Sequence, residues 1–323
     1  MTRPRRANVI PRHPSSDARS GALTYAGLDP GTLVRIGPGA QARVTEWERL
    51  FGEGRLRTRA YAVARRITNA TAAFGYQTAA AAHGLPVYRS RSDRVDLIVP
   101  GPHSRKNSLD VVRHRVPLPD TDVLVIDGLR LTTLERTVYD VIRTASLEAA
   151  VVCFDAALHR AAWHAKKNTY DTEVAERFRT RVQERIRRHK GARGIRQARF
   201  VASFADGCAQ SPGESVSRLW MWQLNVPRPE LQYRVVFPDG TYALLDFAWP
   251  RRGRWGEFDG KIKYADADLL GGRTPDEVLE RQARREERAR RATGWRCDRW
   301  GFDEMPTIDD FCEYLRTIGL YPA

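Results

Sequence analysis

The strongest constraint on this chain is a change of hydrophobic period between Ser211 and Ile318. Ser211-Pro212-Gly213-Glu214 has the form of a helix start, with a capping hydroxyl, proline at the first helical position and an acid three residues on. Leu219, Met221, Trp222 and Leu224 continue it as a buried helix. The pattern then turns to alternation. Leu231 to Phe237, a Pro238-Asp239-Gly240 turn and Thr241 to Trp249 predict a β-hairpin, and Arg254 to Asp259 predicts a third strand. Thr274-Pro275-Asp276-Glu277 repeats the helix-start signal, and Gly294 marks the end of that helix. Trp295 to Trp300 predicts a fourth strand and Thr307 to Ile318 a closing helix. The order expected over residues 211–323 is helix, three strands, helix, strand, helix, an α/β domain.

Upstream, residues 1–20 are rich in Arg, Pro and Ser without a hydrophobic period, and predict a disordered basic arm. Residues 21–165 predict an α+β region. Its strand and turn at Leu33-Val34-Arg35-Ile36-Gly37-Pro38-Gly39 is followed by helices over 44–51, 57–72 and 77–83. Strands are expected over 94–99, 110–116, 121–126 and 129–132, the last two joined by the hairpin signal Asp127-Gly128. Thr133 caps a helix, and another runs from Ser146 to Trp163. Between 166 and 188, Val174, Phe178, Val182 and Ile186 recur every four residues in a highly charged segment. Residues 166–210 are therefore expected as a helical connector carrying a narrow apolar stripe.

Charge sets the partner class. Lysine and arginine number 54 against 39 acids, a net charge of +15. Such a balance attracts polyanions and gains from release of their counterions, which points to DNA. No stretch approaches the roughly 18 apolar residues of a membrane helix, and the N-terminus lacks a signal-like apolar core, so no membrane and a cytoplasmic location are expected. Cys153, Cys208, Cys297 and Cys312 are scattered, which argues against structural zinc and a disulfide framework.

The acids of 214–263 have spacing suited to chemistry. Mg2+ (or Mn2+) takes carboxylate and water oxygens, activates a water, and stabilises charge on a phosphoryl group in transfer. Period-two geometry puts Glu257 and Asp259 on one face of their strand, while Asp246 shares a face with Leu244 and Ala248 on the strand before. Asp246 and Glu257 are the expected catalytic acids, with Glu214 and Asp259 completing the metal ligands. Lys261 or Lys263 would steady the scissile phosphate. The arginines expected to contact DNA are Arg35, Arg251, Arg252, Arg254, Arg284 and Arg285. Plainer roles stand beside these. Glu214 has a place in its capping box, Glu257 has Arg251, Arg252 and Arg254 near in sequence, and Asp259-Gly260 is ordinary turn chemistry. A carboxylate inside an apolar strand, as Asp246 is, costs several kcal/mol without a partner or a metal.

Together these residues resemble a known family. Glu214, Asp246 and Glu257-x-Asp259-Gly260, in a helix–three strands–helix–strand order, are similar to the PD-(D/E)XK nuclease superfamily and to its very-short-patch-repair (Vsr-like) members. Arg284-Arg285 to Arg290, Gly294-Trp295 and Arg299-Trp300 resemble the tail of those domains, so the likeness covers residues 211–305. It implies a restriction-endonuclease-like fold and a metal-dependent endonuclease acting in DNA repair or phage defence. The usual lysine position holds Asp259, and the Vsr-like histidine position holds Lys263. The N-terminal region resembles AbiEi-type antitoxins of type IV toxin–antitoxin systems. Leu33 to Ala40 is similar to their wing, and Gln77 to Pro86 and Thr132-Thr133-x-x-Arg136-Thr137 to their next module. That likeness implies a DNA-binding antitoxin or transcriptional regulator, with a residual winged-helix region and a toxin or other defence protein as partner.

Overall fold

The computed structural model describes residues 6–11, 30–90, 93–101, 107–166, 168–260 and 274–321. They fall into two compact units that divide between Ala205 and Asp206.

The first unit opens with a small antiparallel sheet of β1 (Ile10–Pro11), β2 (Leu33–Gly37) and β3 (Ala40–Arg43), in the order β1-β3-β2. Helices α1 (Val44–Glu48) and α2 (Gly52–Ala64) follow. The helix expected over 57–72 starts and stops earlier. Asn69 Oδ1 accepts from the Thr71 amide at 2.8 Å, an Asx turn that competes with helical bonding. Next come β4 (Ala73–Phe74), α3 (Tyr76–Ala82), β5 (Val95–Ile98), β6 (Val111–His114), β7 (Val123–Ile126) and β8 (Leu129–Thr132). They form a mixed five-stranded sheet ordered β6-β5-β4-β8-β7. Asp127 and Gly128 adopt φ of +49° and +78°, the left-handed pair that a tight β7/β8 hairpin needs. Leu56, Ala60 and Val63 of α2 close a core with Phe74, Val95, Leu97 and Leu131 of the sheet.

The helices α4 (Leu134–Thr144), α5 (Leu147–Ala162), α6 (Thr172–Arg188) and α7 (Ile195–Phe204) pack on one another, with a two-stranded ribbon of β9 (Trp163–His164) and β10 (Thr169–Tyr170) between α5 and α6. The expected connector is thus part of the first unit. Its stripe of Phe178, Val182 and Ile186 is buried, and Phe178 meets Phe154 of α5 edge-on at 6.2 Å. Asp171 starts α6 later than the charge pattern suggests, its carboxylate accepting from the Val174 amide at 3.0 Å. Under these helices lies a buried charge cluster. Arg136 donates to Asp140 at 2.7 Å and to Asp122 at 2.9 Å, and Arg185 donates to Asp122 at 2.9 Å. Arg136-Thr137, part of the antitoxin-like motif, is therefore inside the fold.

The second unit runs α8 (Pro212–Gln223), β11 (Glu230–Val236), β12 (Tyr242–Trp249), β13 (Arg254–Phe258), α9 (Pro275–Thr293), β14 (Arg296–Trp300) and α10 (Ile308–Thr317). The sheet order is β11-β12-β13-β14, antiparallel except for the parallel pair β13/β14 that α9 bridges. The sheet is covered on both faces. Trp255 and Leu245 pack with Ala289 of α9. On the other face Trp300 donates its indole N–H to Ser217 of α8 at 2.8 Å and lies 5.9 Å from the ring of Phe311 of α10. A mixed α/β architecture is present, in the expected element order. Among the described residues no helix is long and apolar enough to cross a membrane. None of the four cysteines forms a disulfide.

Candidate active site

The β11/β12 hairpin decides where Asp246 goes. Its register pairs Leu231 with Phe247 and Tyr233 with Leu245, which sets Gln232 opposite Asp246. Residues two apart on a regular strand share a face, yet Leu245 packs toward α9 while Phe247 lies 5.2 Å from Trp300 on the opposite side. The strand therefore switches faces at Asp246. Across from it Gln232 has φ of +49°, a left-handed value that a non-glycine residue adopts at a cost of about 1–3 kcal/mol.

That distortion brings two acids to one amide. Gln232 Nε2 donates to Asp246 Oδ1 at 3.3 Å and to Glu214 Oε2 at 3.4 Å. Asp246 Oδ2 accepts from the Phe258 amide at 3.0 Å, one step beyond the Phe247–Gly256 pair where the β12/β13 ladder ends. Glu214 is buried on the first turn of α8. Ser211 caps that helix by accepting from the Glu214 amide at 3.2 Å, while the Glu214 carboxylate accepts from the Gln210 amide at 2.9 Å. The helix-start acid thus faces the sheet as well as the helix end. Gly213 allows the approach, since a Cβ there would sit 2.0 Å from the Phe258 ring.

Glu257 takes a different direction. It is buried on the α9 face and accepts from Arg285 at 2.5 Å, not from Arg251, Arg252 or Arg254. Asp259 accepts from Arg299 at 3.1 Å, and Arg299 also reaches Glu286 at 2.9 Å. The charges leave a trace on neighbouring groups. Burial, with Glu286 and Glu257 adding to it, pushes the Cys297 thiol up to about 12. Burial pulls against the Arg299 charge, but Glu286 and Glu257 outweigh it and hold its pKa above the ordinary value. Lys261 and Lys263 lie outside the described residues.

The expected site is thus divided. Glu214 and Asp246 meet at Gln232; Glu257 and Asp259 pair with arginines of α9 and β14. Among the described residues no group of three or more His, Cys, Asp or Glu is arranged to hold a metal. The two-acid part still suits a hard cation. Mg2+ is commonly bound through only one or two carboxylates with waters, and the Gln232 amide offers a further oxygen if its ends exchange. Glu257 gives its Oε2 to Arg285 rather than to the pair at Gln232.

The arginines expected at DNA also separate. Arg35, Arg251, Arg252 and Arg284 are exposed. Arg254 is not available for DNA, because it donates to buried Asp298 at 2.6 Å and to the Ile318 carbonyl. Arg285 is committed to Glu257. Gln232 is the residue of the candidate site that the sequence reading missed, and the signal lay in the hairpin. Counting back from the Pro238-Asp239-Gly240 turn pairs it with Asp246.

No family model matches the chain. Over 97 residues it is 36% identical to "Uncharacterized protein Rv2248" of Mycobacterium tuberculosis strain H37Rv and, to the same degree, to "Uncharacterized protein MT2308" of strain CDC 1551. The match takes in 30% of this chain and 36% of each relative, so the chain spans about a third of the length of the curated relatives it matches.

Proposed function

We propose that residues 206–323 form a metal-dependent endonuclease domain of restriction-endonuclease-like, PD-(D/E)XK type that hydrolyses DNA phosphodiesters. The observation that carries the reading is the convergence of Glu214 and Asp246 on the one Nε2 of Gln232. Support comes from the helix–three strands–helix–strand order and from the end of the β12/β13 ladder at the same point. Asp246 and Glu214 would hold Mg2+ or Mn2+. When bound, the ion lowers the pKa of a water and offsets charge developing on the phosphoryl oxygens. The chain's own contribution is orientation. The Phe258 amide fixes one oxygen of Asp246, and Gln232 sets the spacing of the two acids. Arg285 keeps Glu257 in place as a charged neighbour on the α9 side.

The test is plasmid cleavage in Mg2+ by the wild type and by Asp246→Ala. Loss of cleavage in the variant alone supports the reading; equal cleavage by both proteins sinks it.

A second reading is a non-enzymatic DNA-binding antitoxin or transcriptional regulator that keeps the nuclease architecture as a scaffold. The Glu257–Arg285 pair favours it, since an acid expected to hold the metal gives an oxygen to an arginine instead. On this reading a toxin or other defence protein is a further partner. DNA binding that falls steeply with salt but ignores EDTA separates it from the enzyme reading, because phosphate contacts alone set the salt slope.

A further inference from the structure

From Glu184 to Asp206 the sequence contains no acidic residue between those two ends, yet seven cations lie inside that interval. One of them, Arg185, is turned inward to Asp122. The other six are Arg187, Arg188, Lys190, Arg193, Arg196 and Arg199, and all six are exposed. They surround the turn that joins α6 to α7. Arg188 approaches Glu184 at 3.9 Å, the outer limit of an ion pair. Arg196 and Arg199, three apart on α7, are neighbours on the helix surface opposite buried Ala198 and Val201.

The arginines of α9 are handled otherwise. On α9, Arg284 meets Glu280 at 3.2 Å, Arg290 meets Glu286 at 2.7 Å and Arg291 meets Glu287 at 2.7 Å, each one turn apart. Such pairing cancels charge locally. Around the α6–α7 turn no intervening carboxylate does so.

The turn is also held in place. Arg143 donates to the Arg193 carbonyl at 2.8 Å, and Gln197 donates to the Ile142 and Ala145 carbonyls at 2.9 and 3.0 Å. Gly194 has φ of +76°, and a Cβ there would sit 2.0 Å from the Arg143 carbonyl oxygen, so only glycine lets the turn press against α4. The cations therefore project from an anchored backbone, which lowers the cost of ordering them against a ligand.

We propose that the α6–α7 turn is a nucleic-acid-binding surface that grips the phosphate backbone without reading bases. Repeated phosphates match cations spread over two helices and a turn, each contact releasing condensed counterions. The proposal rests on the nucleic-acid reading of the chain but not on the carboxylate site, so loss of cleavage and loss of this surface are read by different measurements.

The experiment is anisotropy with labelled duplex DNA, and with duplex RNA of the same sequence, using the full chain over about 50 to 200 mM salt. Each phosphate contact removed lowers the slope of log K against log salt by about 0.9 on B-form DNA. Neutralising Lys190, Arg193, Arg196 and Arg199 together to glutamine is expected to lower the slope by about 3.6. Single Arg196→Gln and Arg199→Gln variants, on the exposed side of α7, are each expected to lower it by about one and serve if the quadruple variant does not fold. Neutralising Arg290 and Arg291, each paired with an acid one turn away, is the comparison, expected to change the slope by less than the same number of patch residues. The proposal is overturned if folded patch variants keep the wild-type slope, if the α9 comparison loses as much, or if the wild type binds neither duplex. Capture by anionic vesicles in place of both duplexes overturns it too. Binding to DNA alone, or to DNA and RNA alike, supports it and identifies the backbone gripped.

Discussion

Gln232 and Asp246 stand opposite each other across the β11/β12 hairpin, joined at 3.3 Å, with Gln232 in a left-handed backbone conformation. The strain and the bond occur at the same step where β12 switches faces. A sheet that only needed to fold would place a regular, alternating pair here. This pair instead turns an amide toward two acids.

The backbone part of that cost can be isolated. Gln232→Gly and Gln232→Ala both remove the amide, but only alanine keeps the Cβ that opposes positive φ. In an ordinary strand alanine is the better residue by about 0.5–1 kcal/mol. Here the order is expected to reverse, with the glycine variant more stable than the alanine variant by about 1 kcal/mol in urea denaturation. Alanine equal to or better than glycine would show that the left-handed conformation is not held in solution.

Glu257 and Arg285 are predicted to be energetically coupled. Glu257 is buried and Arg285 is part-exposed, so solvent discounts the pair below the 3–5 kcal/mol of a fully buried one. A double-mutant cycle with Glu257→Gln and Arg285→Ala should give a coupling of about 1–2 kcal/mol by denaturant unfolding. A coupling indistinguishable from zero would remove this ion pair as an argument for the regulator reading.

Much of the layout was legible because turns and caps act locally. Asp127-Gly128 made its hairpin, Thr133 capped α4 through the Arg136 amide, and Thr274 with Glu277 formed a full capping box. What the pattern hid was tertiary. Residues 166–210 looked like a connector because a narrow stripe fits one neighbour, whereas α6 and α7 both pack on α4 and α5. Period-two logic put Asp246 with Leu244 and Ala248 and led toward Glu257. A face switch defeats that logic, and nothing in the β12 sequence itself marks one. Arg285 lies 28 residues beyond Glu257, and only the α9 crossover between parallel strands brings them together.

Asp122 should give the first unit an acid-sensitive element. Burial alone would raise its pKa, but hydrogen bonds and charge from Arg185 and Arg136 win and hold it below the ordinary carboxylate value. A depressed folded pKa contributes stability that is present above the unfolded pKa of about 4 and is lost as pH falls through the folded value. Asp122→Asn is expected to cost about 3 kcal/mol at neutral pH, since it leaves Arg136 and Arg185 short of a counter-charge. The loss should shrink steadily as unfolding is measured at pH values below about 4. A cost that stays constant through the acid range would mean the carboxylate charge is not what the arginines use.

Metal binding, finally, should sort the acids in the way the geometry does. Anything that binds only the folded state stabilises it, by about 2.7 kcal/mol when free ligand is a hundredfold above Kd. Titrating Mn2+ or Mg2+ is therefore expected to raise the midpoint of unfolding for the wild type. Glu214→Gln and Asp246→Asn should each abolish most of that rise, because their oxygens converge on one point beside Gln232. Glu257→Gln should keep it, since that carboxylate lies on the α9 face and gives its Oε2 to Arg285. This readout needs no turnover and so stays informative even if the domain does not cleave. If Glu257→Gln abolished the rise while Glu214→Gln left it intact, the ion would sit on the α9 face of the sheet, and the convergence at Gln232 would be structural alone.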